Sequence, residues 1–295
     1  MVKKTLGIAA VLAAGVSFGV ESQIVGYMAS KTCEEGCMSA QVSTFVPVSG
    51  NALLGDITVL KGGDTPITPM NFEVQLLNDD GGTAAVSAET MGDFCSDAVD
   101  DYEDEDLAFC YIPDTGKWYL TADRGSWSYE MNEYPIPYGT GLLMYSIGTD
   151  AKLQFSGQVG TSYIRVTCDE DCMKLTGNVA PKDMVMGDFS LEPAGDTAIT
   201  PMNFEIQFLN DDGGTAAVNE DTMGEFCPDA IDDYEDEDLA FCYIPDTKKW
   251  YLTADRGSWT YEMNDYPVSA GQGFLLYALV ADGGKVVLPP AIEEK

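Results

Sequence analysis

The sequence predicts an all-β chain, mainly antiparallel, built as two tandem β-sandwich or open-barrel domains behind an export signal. Three observations carry that expectation: an internal repeat of domain size, apolar residues that alternate with polar ones, and turn-forming residues at short spacing. The 295 residues are long enough for two domains of ordinary size.

The chain opens with Met1-Val2-Lys3-Lys4, and the run from Leu6 to Val20 carries no charge. A short basic stretch followed by a short apolar one is the pattern of a secretory signal peptide. The run is shorter than the roughly 20 residues of a membrane span. Ser17 and Gly19 suit the small-residue positions of a signal-peptidase site, so cleavage is expected after Gly19. The expected divisions are a signal peptide at 1–19, a first β-rich repeat at 20–159 and a second at 160–295.

Thr68-Pro69-Met70-Asn71-Phe72-Glu73 recurs as Thr200-Pro201-Met202-Asn203-Phe204-Glu205, a shift of 132 residues. The same shift maps Asn78-Asp79-Asp80-Gly81-Gly82 onto Asn210-Asp211-Asp212-Gly213-Gly214, and Trp118 and Trp127 onto Trp250 and Trp259. Between Gly62 and Tyr134 about four positions in five are identical in the second copy. Cys33-Glu34-Glu35-Gly36-Cys37-Met38 answers to Cys168-Asp169-Glu170-Asp171-Cys172-Met173, so each copy carries four cysteines in one order.

Within a copy, Phe72, Val74 and Leu76 alternate with Glu73 and Gln75 as in a half-buried strand. Asn78 to Gly82 reads as a hairpin turn. A short helix is expected near Ala88 to Asp93. Leu107 to Ile112 and Lys117 to Thr121 are strands joined by a Pro113-Asp114-Thr115-Gly116 turn. Gly141 to Ile147 and Leu153 to Val159 read as a final hairpin.

Ser22-Gln23-Ile24-Val25-Gly26-Tyr27, the glycine-led strands Gly141-Leu142-Leu143 and Gly271-Gln272-Gly273-Phe274-Leu275-Leu276-Tyr277, and Leu153-Gln154-Phe155-Ser156-Gly157-Gln158-Val159 followed by Leu175-Thr176-Gly177-Asn178 carry a family likeness. Together they resemble a functionally uncharacterised group of exported bacterial proteins made of two such repeats. The resemblance covers most of the chain after the signal and implies export and β structure, but no activity. The cysteine pairs are an addition to that pattern.

Composition narrows the chemistry. The formal charge is −34, and it becomes more negative when Lys3 and Lys4 are removed. A field of that sign repels nucleic acid and attracts cations and basic partners. No stretch after the signal is apolar enough to span a bilayer. There is no histidine, so Ser-His-Asp and Cys-His catalysis are excluded. Cysteines in an exported chain point to disulfides. Proximity and symmetry pair Cys33 with Cys37, Cys95 with Cys110, Cys168 with Cys172 and Cys227 with Cys242.

Between Cys95 and Cys110 lie Asp97, Asp100, Asp101, Glu103, Asp104, Glu105 and Asp106, with no basic residue. Asp229, Asp232, Asp233, Glu235, Asp236, Glu237 and Asp238 repeat them. A disulfide-clamped loop of carboxylates suits calcium, a hard cation that takes oxygen ligands, although the EF-hand spacing is absent. The other reading is a solvated acidic loop. Trp118, Trp127, Trp250 and Trp259, beside tyrosines and Arg124, are candidates for stacking on sugar rings, against core packing. The expected function is an exported non-enzymatic structural or cell-surface protein, with calcium as its candidate stabiliser. The alternative is a secreted binding module with duplicated sites for an extracellular glycan or a basic partner. The expected location is extracellular, at the cell surface or periplasmic, and self-association is a further expectation.

Overall fold

The structure is a computed structural model that describes residues 25–29, 38–46, 52–147, 149–279, 282–290 and 292. The expected signal at 1–19 and the Cys33–Cys37 pair lie outside them.

The first repeat holds strands β1 (Val25–Ala29), β2 (Met38–Val42), β3 (Phe45–Val46), β4 (Ala52–Leu53), β5 (Thr58–Lys61), β6 (Phe72–Gln75), β7 (Ala108–Ile112), β8 (Lys117–Leu120), β9 (Pro135–Ile136), β10 (Gly141–Ser146) and β11 (Ala151–Val159). One sheet has the order β2-β10-β6-β7-β8. The other is β1-β11-β3, with β5 also paired to β11, and β4 and β9 form a small ladder. The second repeat holds β12 (Ile164–Cys168), β13 (Met173–Gly177), β14 (Met184–Val185), β15 (Ser190–Pro193), β16 (Phe204–Gln207), β17 (Ala240–Ile244), β18 (Lys249–Leu252), β19 (Pro267–Val268), β20 (Gly273–Ala278) and β21 (Gly284–Leu288). It repeats the plan as β13-β20-β16-β17-β18, β12-β21-β15 and β14-β19. The pairings between these strands are antiparallel.

Alternation decides which side chains face in. Phe72 and Val74 of β6 are buried while Glu73 and Gln75 turn outward. They join Phe109, Trp118, Leu120, Leu142 and Met144 from their own sheet and Val59, Leu153 and Phe155 from the other, so the two sheets enclose one core. A second such core fills the second repeat. The Pro113–Gly116 turn joins β7 and β8 as expected, with the Gly116 N–H donating to Ile112 O at 2.9 Å. The expected hairpin of 141–147 with 153–159 does not form. Strand β10 lies in the five-stranded sheet and β11 in the facing one, because the short connection turns a corner between layers and each strand finds partners in its own sheet.

Among the described residues two short α-helices interrupt each repeat. Helix α1 (Ala88–Met91) sits where one was expected, capped by Ser87 Oγ accepting from the Thr90 N–H at 3.3 Å. Helix α2 (Ser96–Tyr102) occupies the stretch read as an acidic loop. Their counterparts are α3 (Glu220–Met223) and α4 (Pro228–Tyr234). Among the described residues no helix is long and apolar enough to cross a membrane.

The repeats meet through the outer faces of their five-stranded sheets. Ala40, Leu143, Leu175 and Leu275 are buried there, with Met38, Leu77, Met173 and Leu209 packed around them. The seam is reciprocal. The Met38 N–H donates to Asp211 O, and the Met173 N–H donates to Asp79 O. Gly81 lies against the Met173 side chain as Gly213 lies against that of Met38. The seam therefore has the character of a two-fold interface in which one patch meets its own copy.

Candidate functional site

The acidic segment is built by an amphipathic helix. Cys95, Ala98, Val99 and Tyr102 recur at helical spacing and pack on the core, with Ala98 fully buried. That stripe forces the carboxylates outward. Asp97, Asp100, Asp101, Glu103, Asp104, Glu105 and Asp106 are all exposed. Asp229, Asp232, Asp233, Glu235, Asp236, Glu237 and Asp238 are exposed in the same way. Asp101 accepts from the Tyr129 hydroxyl and Asp233 from that of Tyr261, so one carboxylate of each set is drawn to a tyrosine. Among the described residues no three acidic or cysteine side chains converge in a way that could hold a metal ion. Where a clamped acidic loop was expected stands a helix, with the carboxylates on and after it exposed to solvent.

The clamp itself is also absent. Cys95, Cys110, Cys227 and Cys242 are free thiols, which corrects the expected Cys95–Cys110 and Cys227–Cys242 bonds. The physical reason is placement. Cys95 stands just before the first residue of α2 as part of its apolar stripe, whereas Cys110 lies in the middle of β7, its Sγ donating to Tyr119 O at 3.6 Å. Burial pushes the Cys110 and Cys242 thiols up to about 11. Cys168 and Cys172 are bonded as expected, with Cα atoms 5.5 Å apart.

The four tryptophans divide into two kinds. Trp118 and Trp250 are fully buried, with Nε1 donating to Ile57 O at 2.9 Å and to Phe189 O at 3.0 Å. They are core residues, which removes them as stacking candidates. Trp127 and Trp259 are only partly buried and belong to neither core. Each packs edge-on against a tyrosine of the neighbouring strand, Tyr119 or Tyr251, with ring centroids 5.9 Å apart.

The loop that carries Trp127 is Thr121-Ala122-Asp123-Arg124-Gly125-Ser126-Trp127, repeated without change as 253–259. A buried aspartate organises it. Asp123 Oδ2 accepts from the Ser128 and Tyr129 N–H groups, and Oδ1 accepts from Tyr102 Oη at 3.1 Å. In the second repeat burial pushes the Asp255 carboxyl up, but donors from Thr260, Tyr261, Tyr234 and Ser258 outweigh it and hold the group below its usual range. One network thus ties the loop to the acidic helix through Tyr102 or Tyr234.

From this loop Arg124 crosses the outer face of the sheet to Glu73, with Nη2 2.7 Å from Oε2. Pairing places Tyr145, Glu73, Cys110, Tyr119 and Glu130 side by side across that face. Lys117 Nζ lies 2.5 Å from Glu130 Oε2. Arg256–Glu205 and Lys249–Glu262 repeat both ion pairs at 2.7 and 2.5 Å. The sequence alone singled out Trp127 and Arg124. Glu73, Lys117 and Glu130 were hidden because strands far apart in the chain bring them together. Their one sequence signal is that all recur in the second copy.

No protein-family model matches the chain, and no curated protein matches it. Among solved structures the tail fiber protein gp63.1 from E. coli phage G7C is similar at 12% identity and a TM-score of 0.16, over 93% of this chain and 36% of that one. The chain thus spans about a third of that protein, and at this score the likeness carries no argument about fold or function.

Proposed function

We propose that the chain is an exported, non-enzymatic structural or cell-surface protein in which two β-sandwich repeats act as one interlocked unit. The observation that carries this reading is the reciprocal seam, which buries apolar side chains and main-chain hydrogen bonds between the repeats. It couples into one body two domains that the short 160–163 connection alone would leave free to move apart. The Cys168–Cys172 disulfide fits an oxidising compartment. The formal charge of −34 keeps an abundant exported protein dispersed. The basic start and uncharged run to Val20 supply the route.

Fractionation of producing cells with N-terminal sequencing tests the proposal. Mature protein beginning near Val20 and recovered outside the cytoplasm is the expected result. Recovery of the full-length chain from the cytosol alone overturns it.

A further inference from the structure

We propose that Trp127, Tyr119, Arg124 and Glu73, with their counterparts Trp259, Tyr251, Arg256 and Glu205, form two equivalent surface sites for a neutral polysaccharide. A pyranose ring would lie against the tryptophan, and its hydroxyls would meet the ion pair. The proposal rests on the exported reading above only in supposing that the protein meets such a ligand.

Backbone conformation is the first argument. Trp127 has φ +54° and Trp259 has φ +55°. A bulky residue in the left-handed region is a true outlier that glycine or asparagine would relieve. Neither tryptophan repays that strain by entering a core, as Trp118 and Trp250 do. A strained residue that reaches neither core and is kept in both copies points to a contact outside the fold.

The second argument is position. The five-stranded sheet turns one edge of its outer face, β2 and β10, toward the other repeat. Strand β8 lies at the opposite edge of that sheet. There the Arg124 side chain is about one-third exposed, 34%.

Charge chooses the ligand. The molecule as a whole is strongly acidic, yet at this site each cation is matched by one carboxylate, Arg124 by Glu73 and Lys117 by Glu130. Paired charges beside an aromatic ring suit a hydroxyl-rich uncharged ring, and the exposed carboxylates of the adjoining acidic segment repel an anionic one. Two copies of one site would bind a repeating polymer with avidity.

The test uses the purified mature chain with laminarihexaose, cellohexaose, chitohexaose and mannohexaose, read by tryptophan fluorescence and titration calorimetry. Saturable binding of at least one hexasaccharide at two sites per chain is expected. Trp127→Gly should reduce the stoichiometry to one, and the double variant with Trp259→Gly should weaken binding at least tenfold. Glycine accepts the backbone conformation, and the relief of strain offsets the lost contact with Tyr119 or Tyr251, so the fold should be retained, as circular dichroism checks. The pair Trp127→Asn and Trp259→Asn repeats the test with a second residue tolerant of positive φ. No binding up to millimolar sugar, or binding indifferent to both double variants, overturns the proposal. So does binding of a proline-rich decapeptide at these tryptophans with no sugar binding. A cytosolic location would overturn the export reading and leave this assay unaffected.

Discussion

At position 116 the first repeat has glycine at φ +67°, and at the equivalent position 248 the second has lysine at φ +56°. Both close the same turn, with the N–H of each donating to the carbonyl of Ile112 or Ile244 at 2.9 Å. Lysine carries a steric cost there that glycine does not, offset in part by glycine's greater entropy loss on folding. Lys248→Gly is therefore expected to stabilise the second repeat by about 0.5–1 kcal/mol, and Gly116→Lys to destabilise the first by a similar amount. Urea denaturation checks both. The sequence already showed that glycine is not obligatory at this turn, but only the backbone angle shows what its replacement costs. Asp255 gives a second prediction at this scale. Its folded-state carboxyl is held below the usual range. The stability it contributes is present above the ordinary aspartate value of about 3.9 and is lost as pH falls toward the lower folded value. Asp255→Asn should cost about 1–2 kcal/mol at pH 7, where charged hydrogen bonds are exchanged for neutral ones. Urea melts at a series of pH values should show the difference shrinking below pH 4.

Elements with alternating polarity were legible, as β6 shows, because one face must leave water and the other need not. Helix α2 was obscured by its own charge. Seven carboxylates dominated the reading of Cys95 to Cys110, while the signal that decides the structure is the quieter stripe of Cys95, Ala98, Val99 and Tyr102. Reading those cysteines as a covalent pair followed from compartment and proximity, and neither reveals that one belongs to a helix and the other to a central strand. Three outcomes follow for the element. In native protein iodoacetamide should modify half-buried Cys95 and Cys227 well before Cys110 and Cys242, because the last two are buried and carry negligible thiolate at pH 8. Peptide mapping under non-reducing conditions should show no link from Cys95 to Cys110. With the carboxylates splayed outward, calcium should raise the melting temperature no more than magnesium at equal concentration, since both only screen repulsion. A calcium-specific rise of several degrees would restore the oxygen cage.

On the scale of the whole molecule the seam decides how the repeats behave, and its glycines make that testable. A Cβ built on Gly141 would lie 2.8 Å from the Leu175 carbonyl carbon, and one on Gly273 would lie 2.8 Å from the Ala40 carbonyl carbon. These are approaches of one repeat's strand to the other's main chain, so no side-chain rotation clears them. Within its own sheet each glycine is a paired strand residue, Gly141 opposite Val42 and Gly273 opposite Gly177. The close approach was not legible in either repeat alone, since it exists only where two copies meet. Its trace is the run Leu142-Leu143-Met144 in β10, which is buried throughout where a one-sided strand would alternate. Leu142 and Met144 enter the repeat's own core while Leu143 enters the seam. Gly141→Ala combined with Gly273→Ala should therefore cost about 1–3 kcal/mol per site by overpacking. The loss should fall on the contact between repeats, not on either core. Scanning calorimetry of the native chain should give one transition, because the seam makes each repeat's folding favour the other's. The double variant should give two, one for each sandwich, since each retains its own buried tryptophan and its own pair of sheets. A double variant that still melts in one transition, merely at lower temperature, would show that the coupling does not depend on this close approach and rests on the other contacts between the repeats, such as Tyr138 Oη to Val179 O and Thr176 Oγ1 to Gly139 O.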